Sequence, residues 1–360
     1  MGVDAEHGRL VGGWPDRRFL DLVGAEHPIV QAPMAGAGGV ELAAAAMEGG
    51  ALGSLPCGML SPEEVRRQVE DLRSRAKGPF CLNFFCHRMA SADDGAWRRL
   101  LQPYYDEYSV APGNGGAMRL PFDETMADMV EALSPAVVSF HFGLPEPQLL
   151  DRLKASGAVV IGNATNVEEA VWLGERGVDA IIAQGAEAGG HVGRFLDPGS
   201  EAIGTMALVP RIVDAVRVPV IAAGGIGDAR GIAAAFMLGA SAVQLGTAYL
   251  HTPEARISDV HRQRLGDGRT VVTNLMTGGL ARGVHGRLVD ELGAVRPEAP
   301  LYPLASAALA PIRAAAEKRG EYGFGPMWAG QAAPLGRPLP AAELTRKLAA
   351  EALAMLRGEA

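Results

Sequence analysis

Val218-Pro219-Val220-Ile221-Ala222-Ala223-Gly224-Gly225-Ile226-Gly227 is an apolar run that breaks into glycines, and a helix-like segment opens beside Asp228. Ala242-Val243-Gln244-Leu245-Gly246-Thr247 repeats the pattern, with its helix-like segment expected near Pro253. Free backbone N–H groups at a glycine turn and the positive end of a following helix both favour a phosphate. Two such units in succession discriminate between the common parallel α/β folds. In an eight-fold β/α barrel the loops after the last two strands are the usual phosphate site. An open dinucleotide-binding sheet would instead carry G-x-G-x-x-G after its first strand. Here the first apolar run leads into Gln31-Ala32-Pro33-Met34-Ala35-Gly36.

Working outward, strand-length apolar runs occur at Ile29–Ala32, Leu52–Leu55, Phe80–Phe84, Val137–Phe142, Val159–Gly162, Ala180–Ala183, Pro219–Ala223 and Ala242–Leu245. They read as continuous rather than alternating, as parallel strands covered on both faces do. Helix-like segments separate them at Val40–Glu48, Pro62–Ala76, Asp123–Leu133, Glu146–Ala155, Val167–Arg176, Thr205–Val216 and Ala229–Leu238. Ser61 and Asn166 stand at helix starts as N-caps, and Gly157, Gly177 and Gly239 follow helix ends. The expectation is an α/β fold, a (β/α)8 TIM barrel.

The chain is 360 residues long and 48% hydrophobic, enough for one barrel domain over residues 1–360. A formal charge of -8 argues against a nucleic-acid partner. No apolar run reaches membrane-span length and the polar N-terminus is no signal peptide, so a cytoplasmic protein with no membrane partner is expected. Cys57, Cys81 and Cys86 are too few and wrongly spaced for a disulfide framework or a zinc site, and no metal is expected. Cys81, inside a strand, reads as packing. The sequence leaves a homo-oligomer open.

Two regions exceed plain barrel repeats. An insertion at about 86–122 carries Trp97, Tyr104, Tyr105 and Tyr108, as a lid or pocket wall does. A self-packed surface subdomain is the alternative. A C-terminal helical extension at about 270–360 contains Thr277-Gly278-Gly279-Leu280-Ala281-Arg282-Gly283, then Tyr302-Pro303 and Met327-Trp328. Leu344, Leu348, Leu353 and Leu356 make a packing stripe near its end.

The chemistry centres on Gln184-Gly185-Ala186-Glu187-Ala188-Gly189-Gly190-His191-Val192-Gly193. Glycines there let backbone approach a bulky ligand, and His191 titrates near neutrality in its ordinary state. Ser139-Phe140-His141-Phe142-Gly143 ends the fourth strand, where barrel enzymes keep catalytic side chains. Strand alternation should send both phenylalanines one way and His141 the other. Strands four and six are both even, so His141 and His191 can converge.

Together with Asn83-Phe84-Phe85 and the Gln31–Gly36 turn, these stretches resemble the successive motifs of the nitronate monooxygenases, formerly 2-nitropropane dioxygenases. The resemblance runs in order from about Gly24 to Gln331. It implies an FMN-dependent barrel oxidoreductase that oxidises alkyl nitronates with O2 to carbonyl compounds and nitrite. It further implies FMN at the C-terminal mouth, with Ala32, Pro33 and Met34 along the ring. Asn83, Gln184, Gly189 and Gly190 would be further flavin contacts, and Gly224, Gly225, Gln244, Gly246 and Thr247 would hold the phosphate. His191 would be the active-site histidine, donating a hydrogen bond to the nitronate or acting as base, with His141 stabilising charge. Noncovalent FMN rather than FAD is expected, since no adenosine-binding fingerprint is visible. Three departures stand out: Gly38-Gly39-Val40 for a Ser-Thr-Pro turn, Val192 for an arginine, and Gly279-Leu280 for Arg-Pro. Two rival readings stand beside it: an FMN-dependent NAD(P)H-using enoyl-acyl-carrier-protein reductase or quinone reductase, which shares the Gln184–Gly193 motif while His141 in its Ser-Phe-His-Phe-Gly context favours the nitronate enzymes, and a flavin- or phosphate-ligand-binding protein without turnover.

Overall fold

A computed structural model of the protein describes residues 13–89, 93–113 and 119–359. Parts of the expected insertion, at 90–92 and 114–118, lie outside the described residues. Eight strands form one parallel sheet: β1 (Ile29–Gln31), β2 (Gly53–Pro56), β3 (Phe80–Phe85), β4 (Val137–His141), β5 (Val159–Ala164), β6 (Ala180–Gln184), β7 (Val220–Ala223) and β8 (Ala242–Leu245). Neighbours pair in chain order from β2 to β8, and β8 returns to pair with β1. The barrel closes where Gln31 N–H donates to the Leu52 carbonyl and Leu52 N–H to the Ile29 carbonyl, both at 2.9 Å. This is the expected TIM barrel.

The runs looked unbroken because both faces are buried, yet the faces differ. Ile29, Leu82, Val138, Phe140, Ile181, Ala183, Ala222 and Val243 pack outward into the layer between sheet and helices. Val30, Leu52, Cys81, Val137, Ile161, Ile182, Ile221 and Ala242 fill the barrel interior, where Phe19 and Val23 of helix Arg18–Val23 join them. Two residues beyond the interior set, on the same face, stand Asn83, Ser139, Asn163, Gln184 and Gln244. The interior is therefore apolar along most of each strand and polar at its C-terminal mouth.

Caps set the helix boundaries. Ser61 and Glu64 form a reciprocal capping box before helix Pro62–Arg75, and Asn166 accepts from Glu169 N–H at 2.8 Å. Helix Ala341–Leu356 buries Leu344 and Leu348 and packs against helices Val40–Glu48 and Ala229–Met237. The extension thus supplies the barrel's eighth outer helix. Helix Gly95–Tyr108 packs on helix Ala305–Lys318 in a second apolar cluster outside the barrel. A three-stranded antiparallel sheet joins Thr270–Thr273, Ala281–Val284 and the two residues Gly190–His191. Among the described residues no helix is long and apolar enough to cross a membrane, and no three His, Cys, Asp or Glu are grouped to hold a metal ion.

Candidate active site

A cavity of about 620 Å³ opens at the C-terminal mouth of the barrel. Its walls include Ala32, Pro33 and Met34 after β1, and the strand-end side chains Asn83, His141, Gln184 and Gln244. Gly189, Gly190 and His191 line it from the loop after β6, and Gly224, Gly225, Gly246 and Thr247 from the loops after β7 and β8. Every site residue read from the sequence therefore borders one space.

The end formed by β7 and β8 is a set of unused donors. The N–H groups of Gly224, Gly225, Gly246 and Thr247 have no acceptor among the described residues. The neighbouring helix starts are already satisfied. Glu187 accepts from Thr205 N–H at 2.9 Å before helix Thr205–Ala215, and Asp228 accepts from Arg230 N–H at 3.0 Å before helix Ala229–Met237. Gly224 has φ 103, and a Cβ there would lie 3.0 Å from both Ala188 N and Gly185 O. After Gly246 the chain turns helical at once, over Thr247–Leu250, and not near Pro253 as the sequence suggested. That helix begins directly at the strand end, which brings its first amides to the cavity. Such a set of donors suits the phosphate of a bound ligand.

Gln184 organises the opposite end. Its Oε1 accepts from Gly193 N–H at 2.8 Å and from Asn163 Nδ2 at 3.1 Å, and its Nε2 donates to the His191 carbonyl at 2.8 Å. Because Gly193 N–H can only donate, the amide orientation is fixed. His141 Nε2–H donates to the same His191 carbonyl at 3.2 Å, which leaves Nδ1 as that ring's free atom in the neutral state. The loop is clasped from the other side as well. Val192 N–H donates to the Leu280 carbonyl at 2.9 Å, Arg282 Nη2 to the Ala186 carbonyl at 2.9 Å, and Gln331 N–H to the Glu187 carbonyl at 2.9 Å.

His191 Nε2 lies 2.9 Å from the Thr277 hydroxyl, which is buried. Its Nδ1 has no partner among the described residues and is not sealed from solvent. Burial pushes His141 down to about 4 and His191 down to about 3, where His141 and Arg119 add to the effect. Both rings are neutral at physiological pH. The Thr277 hydroxyl can accept from Nε2–H or donate to bare Nε2, so His191 can present Nδ1 as lone pair or as N–H without moving its ring.

An aromatic wall surrounds these histidines. The Tyr302 ring sits 4.9 Å from His191 and the Trp328 ring 5.4 Å. Of the two phenylalanines beside His141, Phe140 packs outward as expected, but Phe142 does not join it. Phe142 has φ 67, so strand alternation stops at His141, and the ring stands 4.5 Å from His141 and 5.3 Å from Tyr302. Trp97, Tyr104, Tyr105 and Tyr108 are not pocket wall. All four are buried in the outer cluster, with Trp97 Nε1 donating to the Ala305 carbonyl at 3.2 Å and Tyr105 Oη to the Ala308 carbonyl at 2.8 Å. They brace the helix that follows Tyr302.

Sequence reasoning missed Asn163, Thr277 and Arg119. Asn163 keeps the inward register of Ile161 but lies one residue past the apolar run Val159–Gly162, in a strand that continues to Ala164. Thr277 meets His191 from 86 residues away, and no local pattern announces such a contact.

Comparison with known proteins now bears on this geometry. The family profile described as nitronate monooxygenase matches residues 17–351. A nitronate monooxygenase of Paraburkholderia phytofirmans is 43% identical over 348 residues, covering 93% of this chain and 94% of that one. One from Pseudomonas aeruginosa is 42% identical, covering 93% and 98%. Among solved structures, the nitroalkane oxidase from Streptomyces ansochromogenes superposes with a TM-score of 0.86 at 36% identity, covering 95% of this chain and 99% of that one. FabK from Thermotoga maritima gives 0.72 at 29% identity, covering 98% and 100%.

Proposed function

The chain belongs to the nitronate monooxygenase family, an oxidoreductase family, and on that premise we propose that it oxidises alkyl nitronates with O2 to carbonyl compounds and nitrite, using noncovalent FMN. The observation that carries the cofactor reading is the run of four unengaged amides at Gly224, Gly225, Gly246 and Thr247, on the two loops suited to a terminal phosphate. Asn83 supports it: it lines the cavity, its amide nitrogen is held by Ser139 Oγ at 3.0 Å, and its amide oxygen has no protein partner among the described residues. FMN, when bound, supplies one-electron redox chemistry toward nitronate and oxygen.

The chain's own residues do the rest. Neutral His191 presents Nδ1–H to a nitronate oxygen, with its Nε2 supported by Thr277. Gln184 and His141 hold the His191 carbonyl, so both are positioning residues, and this replaces the charge-stabilising role first expected of His141. Tyr302, Trp328 and Phe142 exclude water around the reacting atoms. A ring whose conjugate acid is as strong as that of His191 is a weak base, which favours pre-formed nitronate over neutral nitroalkane. On the same footing we assign the protein to a reducing compartment such as the cytoplasm, where its three cysteines stay thiols.

The test pairs two assays on purified protein. Aerobic incubation with an alkyl nitronate should release nitrite, and NADH or NADPH under anaerobic conditions should not reduce the flavin at a comparable rate. Rapid anaerobic reduction without nitrite release would move the protein to the hydride-accepting rivals.

A further inference from the structure

A nitronate is an anion, yet the histidines lining the cavity, His141, His191 and His261, are all held neutral by burial, so its charge needs another complement. Three cationic side chains line the cavity: Arg119, Arg256 and Arg313. Arg256 is paired with Glu41, and Arg313 Nε binds Glu317 Oε1 at 2.8 Å. Arg119 has no carboxylate partner among the described residues. Its guanidinium carbon lies 5.9 Å from the centre of the Tyr302 ring, and that ring is 4.9 Å from His191. The Tyr302 hydroxyl is buried in the same wall, within the influence of Arg119, and has no hydrogen-bond partner within 3.5 Å among the described residues. The three groups thus follow one another along the aromatic side of the mouth.

We propose that the Arg119 guanidinium, set beside the Tyr302 ring, is the anchor that recognises the negative charge of the substrate, on the same wall of the mouth as His191. The proposal rests on the nitronate reading for the identity of that anion. It deepens that reading by separating two duties: Arg119 selects for charge, and His191 contacts the reacting group. A planar fork of N–H donors matches two oxygens of a nitronate as it does a carboxylate. The charge also reaches His191 and His87, where it disfavours protonation. The fold tolerates the test. Its backbone carbonyl, 3.0 Å from His87 Nε2, is kept by any side chain, and a methionine still covers the Tyr302 ring.

The experiment compares wild type, Arg119→Met and Arg119→Lys as loaded holoenzymes. KM for a pre-formed nitronate should rise about ten- to a hundredfold in Arg119→Met, the range of one charge-assisted interaction. KM for the neutral nitroalkane should stay within about twofold, and Arg119→Lys should recover part of the nitronate loss. Calorimetric titration with nitrate, a planar monoanion, reads the anchor without turnover. Nitrate affinity should fall in Arg119→Met by a factor similar to the nitronate KM. A wild type that binds nitrate but oxidises no nitronate would sink the functional reading alone. Nitrate binding that is absent from wild type, or unchanged in Arg119→Met, would overturn the anchor whatever the activity.

Discussion

At the scale of single residues, the site turns on what holds His191. Its ring is supported through one buried hydroxyl, Thr277, at 2.9 Å. Thr277→Val keeps the shape but removes the hydroxyl, so kcat/KM for nitronate should fall about tenfold, the worth of one hydrogen bond. Thr277→Ser should restore it, and the pH profile should move only in the valine variant. His191→Asn should lose about ten- to a hundredfold on nitronate while keeping full flavin content, because the phosphate end is built from other residues. Steady-state kinetics beside flavin absorbance decide both cases. Flavin lost together with activity in His191→Asn would make the histidine a fold residue. His191 was legible because a histidine among glycines after a strand is a local signal. Thr277 was not, since an ordinary threonine in a turn takes its meaning from a partner brought near only by folding.

At the scale of elements, the Gln184–Gly193 loop works as a clasp between β6 and the strand Ala281–Val284. Gly193 shows why it tolerates no bulk. A Cβ there would fall 2.2 Å from Asn163 Nδ2 and 2.6 Å from His141 Cε1, within the network that fixes Gln184. At Gly190, with φ 75, a Cβ meets nothing within 4 Å, so an alanine suffers only the left-handed backbone penalty of roughly 1 kcal/mol. Gly193→Ala should therefore lose roughly 1–3 kcal/mol by overpacking and most of its turnover, and Gly190→Ala much less of both. Thermal melts and nitrite assays on the pair check the order, and equal effects would mean that the clasp does not position the site. The eight barrel strands and the seven helices named between them were readable to within a residue or two, because helix starts such as Ser61 and Asn166 and strand runs such as Ala242–Leu245 are set by adjacent residues, whereas the helix after β8 begins at Thr247 and not near Pro253. The conformation of Phe142 and the destination of the tyrosines on helix Gly95–Tyr108 were not, since both answer to surfaces presented by residues beyond 270.

At the scale of the whole molecule, six of the eight histidines have pKa values held below the ordinary one: His27, His87, His141, His191, His251 and His261. Burial is the leading cause each time, reaching about 4 for His261. Above about pH 6.5 these groups are neutral folded or unfolded and contribute no pH dependence. As pH falls below about 6.5 the unfolded chain takes up protons that the folded chain refuses, so stability drops through pH 5 toward the folded values. Tm should fall roughly 5–10 °C between pH 7 and pH 5, and His261→Asn should flatten that slope. A flat profile in wild type would show that these rings are protonated in the folded state. A different consequence follows from where the cavity walls come from. The loops proposed to cradle the phosphate spring from the barrel's own strand ends, whereas the groups proposed to meet the substrate come from the antiparallel sheet, from the segment around Tyr302 and Trp328, and from Arg119 in the insertion after β3. Heredity can therefore act on the two separately. On the proposed reading, a descendant chain can exchange the outer segments, and with them the compound it consumes, while the loops proposed for the phosphate stay as they are.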